Sequence, residues 1–143
     1  MADAIMLHLI SQRGLADKVE VDSAGTNGYH TGEQADKRAI RTAIRNRIDL
    51  QYHRARKITS KDISEYDVIY TMADDVHYEV MRLVKRQEDL HKIKWFMDEL
   101  MPGKKHSVPD PWYGDEAGFQ PVFDLIYTVC EKIVKRLEMD FHH

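Results

Sequence analysis

The sequence predicts an α/β protein: an open parallel sheet with helices on its faces, in three layers. Two observations lead there. Short alternating or β-branched runs occur at 19–22, 68–72 and 93–97, and stretches with helical apolar spacing lie between them. That alternation argues parallel strands joined by right-handed crossovers. A length of 143 residues, 43% of them hydrophobic and 31% charged, suits one soluble globular domain over 1–143 with a sizeable core.

Each element has its own reason. Ala2, Ile5, Met6, Leu9 and Ile10 recur at helical spacing, and Gly14 is placed to end that helix. The pattern is already running at residue 1 without a Ser, Thr, Asp or Asn cap, so either the helix frays or something precedes it. Val19-Glu20-Val21-Asp22 alternates like a short strand, and Ser23 to Gly28 reads as a loop. From Ala35 to Arg45 an amphipathic helix is expected, with Ala35, Ala39, Ile40, Ala43 and Ile44 on its apolar face. Thr59 or Ser60 caps a short helix ending before Tyr66, with Asp62 at its positive end. Val68 to Met72 is a buried strand, and Ala73-Asp74-Asp75 opens a helix carrying Val76, Val80, Leu83 and Val84 on one side. Ile93 to Met97 fits a third strand or a helical segment. A long last helix begins at Glu116 or Gly118, with the stripe Phe119, Val122, Phe123, Ile126, Cys130, Ile133, Val134 and Leu137.

Several function classes recede on composition. A formal net charge of −3 does not ask for nucleic acid. No apolar run approaches the ~20 residues of a membrane span, and Asp3 and His8 interrupt any leader-like segment. A single cysteine forms no internal disulfide, which favours a reducing, cytoplasmic setting. The histidines at 8, 30, 77, 91 and 106 show no ligand spacing and default to the surface. No metal constellation stands out, and no cofactor is expected.

The chemistry concentrates at Val108-Pro109-Asp110-Pro111-Trp112-Tyr113-Gly114-Asp115. Flanking prolines stiffen the chain around Asp110. A carboxyl beside two aromatics suits a general acid that protonates an aryl-oxide leaving group. In open α/β sheets the site lies beyond the carboxyl ends of the strands. Ser23, Ala73 and the segment before Asp110 all follow predicted strands. One decoy is set aside. Cys130 to Arg136 fits Cys-x5-Arg, but it has no glycine, and Leu137 stands where Ser or Thr would follow. On a helix the two side chains point about 120° apart, so Cys130 reads as a buried structural cysteine.

Three runs in register then resemble the low-molecular-weight protein tyrosine phosphatases: Val21 to Tyr29 (Val-Asp-Ser-Ala-Gly-Thr-Asn-Gly-Tyr), His53-Arg54-Ala55-Arg56, and Asp110-Pro111-Trp112-Tyr113-Gly114. The similarity runs from residue 1 to about residue 138. Met1-Ala2-Asp3-Ala4-Ile5 is similar to the family segment directly after the phosphate-binding loop. The resemblance therefore implies that a first central strand and a Cys-x5-Arg-Ser loop lie upstream of residue 1. It implies hydrolysis of a phosphotyrosine or aryl phosphate monoester through a Cys-phosphate, with Asp110 protonating the phenol and then deprotonating water. Tyr29 would wall the phosphotyrosine slot, with Trp112 and Tyr113 opposite. The alternatives are a surface tyrosine at 29 and a packed loop anchor at 113. Ser23 and His53 would hold the phosphate loop by hydrogen bonds, neither acting as a base. Arg54 and Arg56 could meet acidic substrates or form a solvated face. Where many family members carry Asp, this chain has Ala73, so no role is carried to that position.

The resemblance implies a phosphatase that is inactive as this 143-residue chain, for want of a nucleophile. A non-catalytic pseudo-phosphatase or interaction module is the alternative. An arsenate reductase relative ranks behind both, because that chemistry needs further cysteines. Loss of a central strand would expose sheet edges, and low stability or pairing of two copies is the expected consequence.

Overall fold

A computed structural model describes residues 1–26, 32, 36–50, 55–103, 107–108 and 118–141. The chain divides into two compact units, and each is built by its own logic.

The first unit comprises Met1–Ser23, Gly32–Ala55 and Pro109–His143. It contains α1 (Ala2–Gln12), α2 (Lys37–Arg45) and α5 (Phe119–Phe141), and α1 and α2 both pack on α5. Helix α5 buries Phe119, Val122, Phe123, Ile126, Val129, Cys130, Ile133 and Val134, the stripe that its periodicity predicts, with Val129 added and Leu137 half-buried. Helix α1 contributes Ile5, Leu9 and Ile10. No side chain caps α1 at Met1, as its sequence suggests. Its other end closes in a Schellman arrangement: Leu15 N–H donates to Ile10 O at 3.0 Å and Gly14 N–H to Ser11 O at 3.3 Å. Gly14 takes φ +70° there, a left-handed conformation that glycine adopts without strain. Helix α2 starts at Asp36, whose carboxylate accepts from the backbone N–H of Arg38 at 2.8 Å.

The second unit comprises Ala24–Thr31 and Arg56–Val108. It contains α3 (Ser60–Glu65), β1 (Ile69–Thr71), α4 (Asp74–Arg82) and β2 (Ile93–Trp95), with 3-10 turns at Gln87–Lys92 and Phe96–Glu99. The strands pair in parallel with Ile69 opposite Ile93 and Thr71 opposite Trp95, and α4 packs on both. Ile63, Val80 and Ile93 form the core, with Ile58, Ile69, Val76, Met81, Leu83 and Val84 against it. A capping box starts α3: Thr59 Oγ1 accepts from Asp62 N–H at 3.4 Å, and Asp62 Oδ2 accepts from Thr59 N–H at 2.8 Å.

Five expectations change. Val19–Asp22 joins no ladder among the described residues, so the described sheet has two strands rather than three. Alternation does survive there as burial, with Val19 and Val21 half-buried and Glu20 and Asp22 exposed, but a strand also needs a partner. Val68 is 42% exposed and lies outside β1. Ile93–Met97 divides into a strand and a 3-10 turn, so each of its two readings holds for part of the segment. Ile44 is 50% exposed, because Ala39, Thr42 and Ala43 set the buried face of α2 and Ile44 falls about 100° around from Ala43. His77 is buried rather than superficial: its ring stacks on Trp95 at 4.2 Å, and its Nδ1 meets Thr71 Oγ1 at 2.8 Å.

Candidate functional site

Of the residues predicted to carry the chemistry, the structure describes Ser23. Asp110, Tyr29, Trp112, Tyr113 and His53 lie outside the described residues. What the structure supplies is the chain that leads into those positions, and its polar ties.

In the first unit, Ser23 Oγ donates to Asp3 Oδ2 at 2.8 Å, joining the first turn of α1 to the end of the Val19–Asp22 run. The backbone N–H of Ser23 donates to Asp22 Oδ1 at 2.8 Å, a local turn that sets how the chain leaves that run. Asp3 is mostly buried, with 15% of its side chain exposed. A buried carboxylate stays favourable only with hydrogen-bond donors around it, and the Ser23 hydroxyl is one of them. Sequence reasoning assigned Ser23 a supporting role and missed Asp3. The available signal was an acid in the first turn of a helix, amid the apolar residues Ala2, Ala4, Ile5 and Met6.

In the second unit, the chain beyond Ser23 is pinned by a parallel bridge between Gly25 and Lys57. Gly25 N–H donates to Arg56 O, and Ile58 N–H donates to Gly25 O, both at 2.8 Å. Arg56 itself is engaged: its guanidinium donates to Asp62 Oδ2 at 3.0 Å, within the capping box of α3. Burial pushes the Asp62 carboxyl up, but hydrogen bonds from Arg56 and from the Thr59 backbone hold it below the usual carboxylate range. Arg56 is half-buried rather than on a fully solvated face. It forms a structural ion pair.

The approach to Asp110 is tied in the same unit. Helix α4 begins at Asp74, and Ala73 before it has no capping side chain. Ser107, 33 residues away, fills that role: Asp74 N–H donates to Ser107 Oγ at 3.0 Å, and Ser107 Oγ donates to Asp74 Oδ1 at 2.6 Å. That hydroxyl holds the Asp74 carboxyl below its usual range. Next in the chain, Val108 N–H donates to Met72 O at 2.7 Å, so residues 107 and 108 are held at the carboxyl end of β1. Asp110 follows two residues later in the sequence. Alanine at 73 offers no side-chain cap, and a serine three residues before Asp110 was the unread signal.

Cys130 is the single cysteine of the chain. It is buried in α5, and its Sγ lies 3.8 Å from Ala2 O. Burial pushes its thiol up to about 12, so it stays protonated at neutral pH. This is a structural cysteine, as the missing glycine and the helical geometry of its Cys-x5-Arg segment predict. Among the described residues no His/Cys/Asp/Glu cluster could hold a metal, and no described helix is long and apolar enough to cross a membrane.

Comparison with known proteins points one way. The family profile described as low molecular weight phosphotyrosine protein phosphatase matches residues 1–143. A putative low molecular weight protein-tyrosine-phosphatase of Synechocystis is 34% identical over 136 residues, with 95% of this chain and 86% of that protein covered. The human low molecular weight phosphotyrosine protein phosphatase is 27% identical over 95% of this chain and 85% of its own length. Among solved structures, a protein tyrosine phosphatase from Entamoeba histolytica, crystallised with Hepes in its active site, superposes with a TM-score of 0.88 at 33% identity. That match covers 97% of this chain and 88% of that one.

Proposed function

Because the chain belongs to the low molecular weight phosphotyrosine protein phosphatase family, we propose that its residues serve phosphotyrosine monoester hydrolysis in the cytoplasm. Asp110 is the general acid and base of this reading. A cysteine thiolate attacks phosphorus, and the P–O bond to the aryl oxygen breaks as Asp110 gives that oxygen its proton. Asp110, now a carboxylate, takes a proton from the water that attacks the Cys-phosphate, and thiolate and phosphate leave. Tyr29, Trp112 and Tyr113 line the aryl group, while Ser23 and His53 steady the phosphate loop. Phosphotyrosine-bearing proteins or aryl phosphates are the substrates, without a cofactor.

The observation that carries the reading is the family match over the whole chain, joined to the ties that lead into the Asp110 segment. The thiolate does not come from Cys130, which is buried and protonated. The 143-residue polypeptide by itself is therefore expected to hydrolyse no aryl phosphate. Vanadate-sensitive turnover that disappears in Cys130→Ser would overturn that assignment. Thiol reagents should likewise leave Cys130 unmodified in the native protein at neutral pH and label it after unfolding. Joining a strand and a Cys-x5-Arg-Ser segment ahead of Met1 should confer turnover, which Asp110→Asn then lowers by about 10²–10⁴ in kcat. Absence of turnover in that folded fusion favours the non-catalytic reading, and turnover insensitive to Asp110→Asn rejects the acid.

A further inference from the structure

Between residues 37 and 47 the chain carries five cations and no acid: Lys37, Arg38, Arg41, Arg45 and Arg47. The other sixteen of its 21 cations share the molecule with all 24 acids, so this segment stands against the overall charge. Structure sorts the five. Arg38 turns back, donating to Asp36 at 3.0 and 3.1 Å and lying 4.8 Å over the Phe119 ring. The other four are exposed. Lys37, Arg41 and Arg45 share one side of α2 with Ile44, within about 100° of arc and along about 12 Å of helix.

Ordinary helix electrostatics explains little of this. Arg45 in the last turn suits the negative end of the helix dipole, and its guanidinium also donates to Thr42 Oγ1 at 3.1 Å. Lys37 stands at the positive end, where a cation is disfavoured.

Arg47 is the stronger sign. Helix α2 ends in a Schellman arrangement, with Ile48 N–H donating to Ala43 O at 2.8 Å and Arg47 N–H to Ile44 O at 2.9 Å. The residue in that position takes a left-handed conformation, and glycine is its usual occupant. Here Arg47 takes φ +64° and is the one non-glycine residue with positive φ among those described. The left-handed conformation thus carries a guanidinium where glycine would be unstrained, just beyond the cationic face.

We propose that the outward face of α2, continued by Arg47, is a docking surface for an acidic, carboxylate-rich segment of a partner protein. Three of the four exposed cations are arginines, whose planar fork pairs bidentately with carboxylates. Ile44, 50% exposed among them, offers an apolar contact of the kind that sits at the centre of protein interfaces. One isoleucine is a poor membrane anchor, since interfacial helices turn a whole apolar face to lipid, and the apolar face of α2 is spent on α5. The surface shares no residue with the site proposed above, and binding to it is measured without turnover.

The test is fluorescence anisotropy with a fluorescein-labelled peptide of glutamates around one leucine. The unmodified chain should bind it in about 20 mM salt and lose most binding in about 200 mM, as screening requires. Arg41→Glu/Arg45→Glu should weaken binding at least about tenfold, with circular dichroism unchanged. If that variant fails to fold, Arg41→Gln/Arg45→Gln takes its place. Arg47→Gly should lower affinity about threefold while raising Tm, and Arg47→Lys should keep most of the affinity. No peptide binding at low salt, or equal binding by the folded charge variants, overturns the proposal. So does binding to phosphatidylserine vesicles that needs Arg41 and Arg45 while the peptide fails to bind, which would make the face a membrane contact.

Discussion

The helical unit and the sheet unit are held by different means. In the first, α1 and α2 lie on α5 mainly through aliphatic and aromatic side chains, and among the described polar side chains there Thr42 is buried and Asp3 mostly so. In the second, Thr71, His77 and Asp89 are buried as well. Each has partners: Thr71 Oγ1 meets His77 Nδ1 and donates to Lys94 O at 3.2 Å, and Asp89 accepts from Lys92 and Arg86 at 3.1 and 3.3 Å. Lys92 also donates to Ile63 O at 2.9 Å and Ser64 O at 3.2 Å, at the end of α3. Apolar burial is non-directional and tolerates small shifts, whereas a buried hydrogen bond holds one strand register and one helix rotation. The tied segment that leads to Asp110 belongs to the unit built the second way.

The comparison is broken most strongly in the helical unit. Ile5 is fully buried, so Ile5→Ala should cost about 2–5 kcal/mol in urea unfolding, through a cavity that helices cannot close. A cost under about 1 kcal/mol would mean that α1 is loosely packed. In the sheet unit, Thr71→Val keeps the shape and removes the hydroxyl between His77 and Lys94, and should cost about 1–3 kcal/mol. Thr71→Ser should recover most of it. If Thr71→Val is neutral, the polar ties of this unit are dispensable.

Acid sharpens the contrast further. The Asp62 carboxyl is held low in the folded state, so its contribution is fully present above the unfolded value of about 4 and is lost as pH falls through the lower folded value. Asp62→Asn should remove about 1 kcal/mol near neutral pH and flatten the fall in stability below about pH 4. An unchanged acid profile in Asp62→Asn would show that the Arg56 pair and capping box contribute nothing. The smallest expected effect returns to the helical unit. Arg47→Gly should gain about 0.5–1 kcal/mol, while Gly14→Ala at the matching end of α1 should lose about as much. Opposite signs at two ends of the same geometry would show strain at one and none at the other.

Much of the architecture was legible. The α5 stripe, the Gly14 stop, the Thr59 cap, the core side of α4 and the burial of Cys130 all follow from local spacing, capping chemistry or helix geometry. What escaped was non-local. Ser107 caps a helix that starts 33 residues earlier, and Asp3 accepts from Ser23 across 20 residues. His77 defaulted to the surface because it shows no ligand spacing, whereas its stacking partner Trp95 comes from strand β2, distant in sequence. Val19–Asp22 alternates correctly, yet pairing is not a property of one segment.

The family, the α/β class and the residue types of the candidate chemistry were set by the sequence alone, because motif order, apolar period and capping residues are local quantities. Only the tertiary structure decided which serine caps α4, which acid holds Ser23, and that Arg56 is committed to Asp62. It also turned Ile44, Arg41 and Arg45 to solvent and placed Arg47 in a glycine's conformation. The physical reason is the same in each case: a hydrogen bond or an exposed face depends on what the rest of the chain brings within a few ångströms.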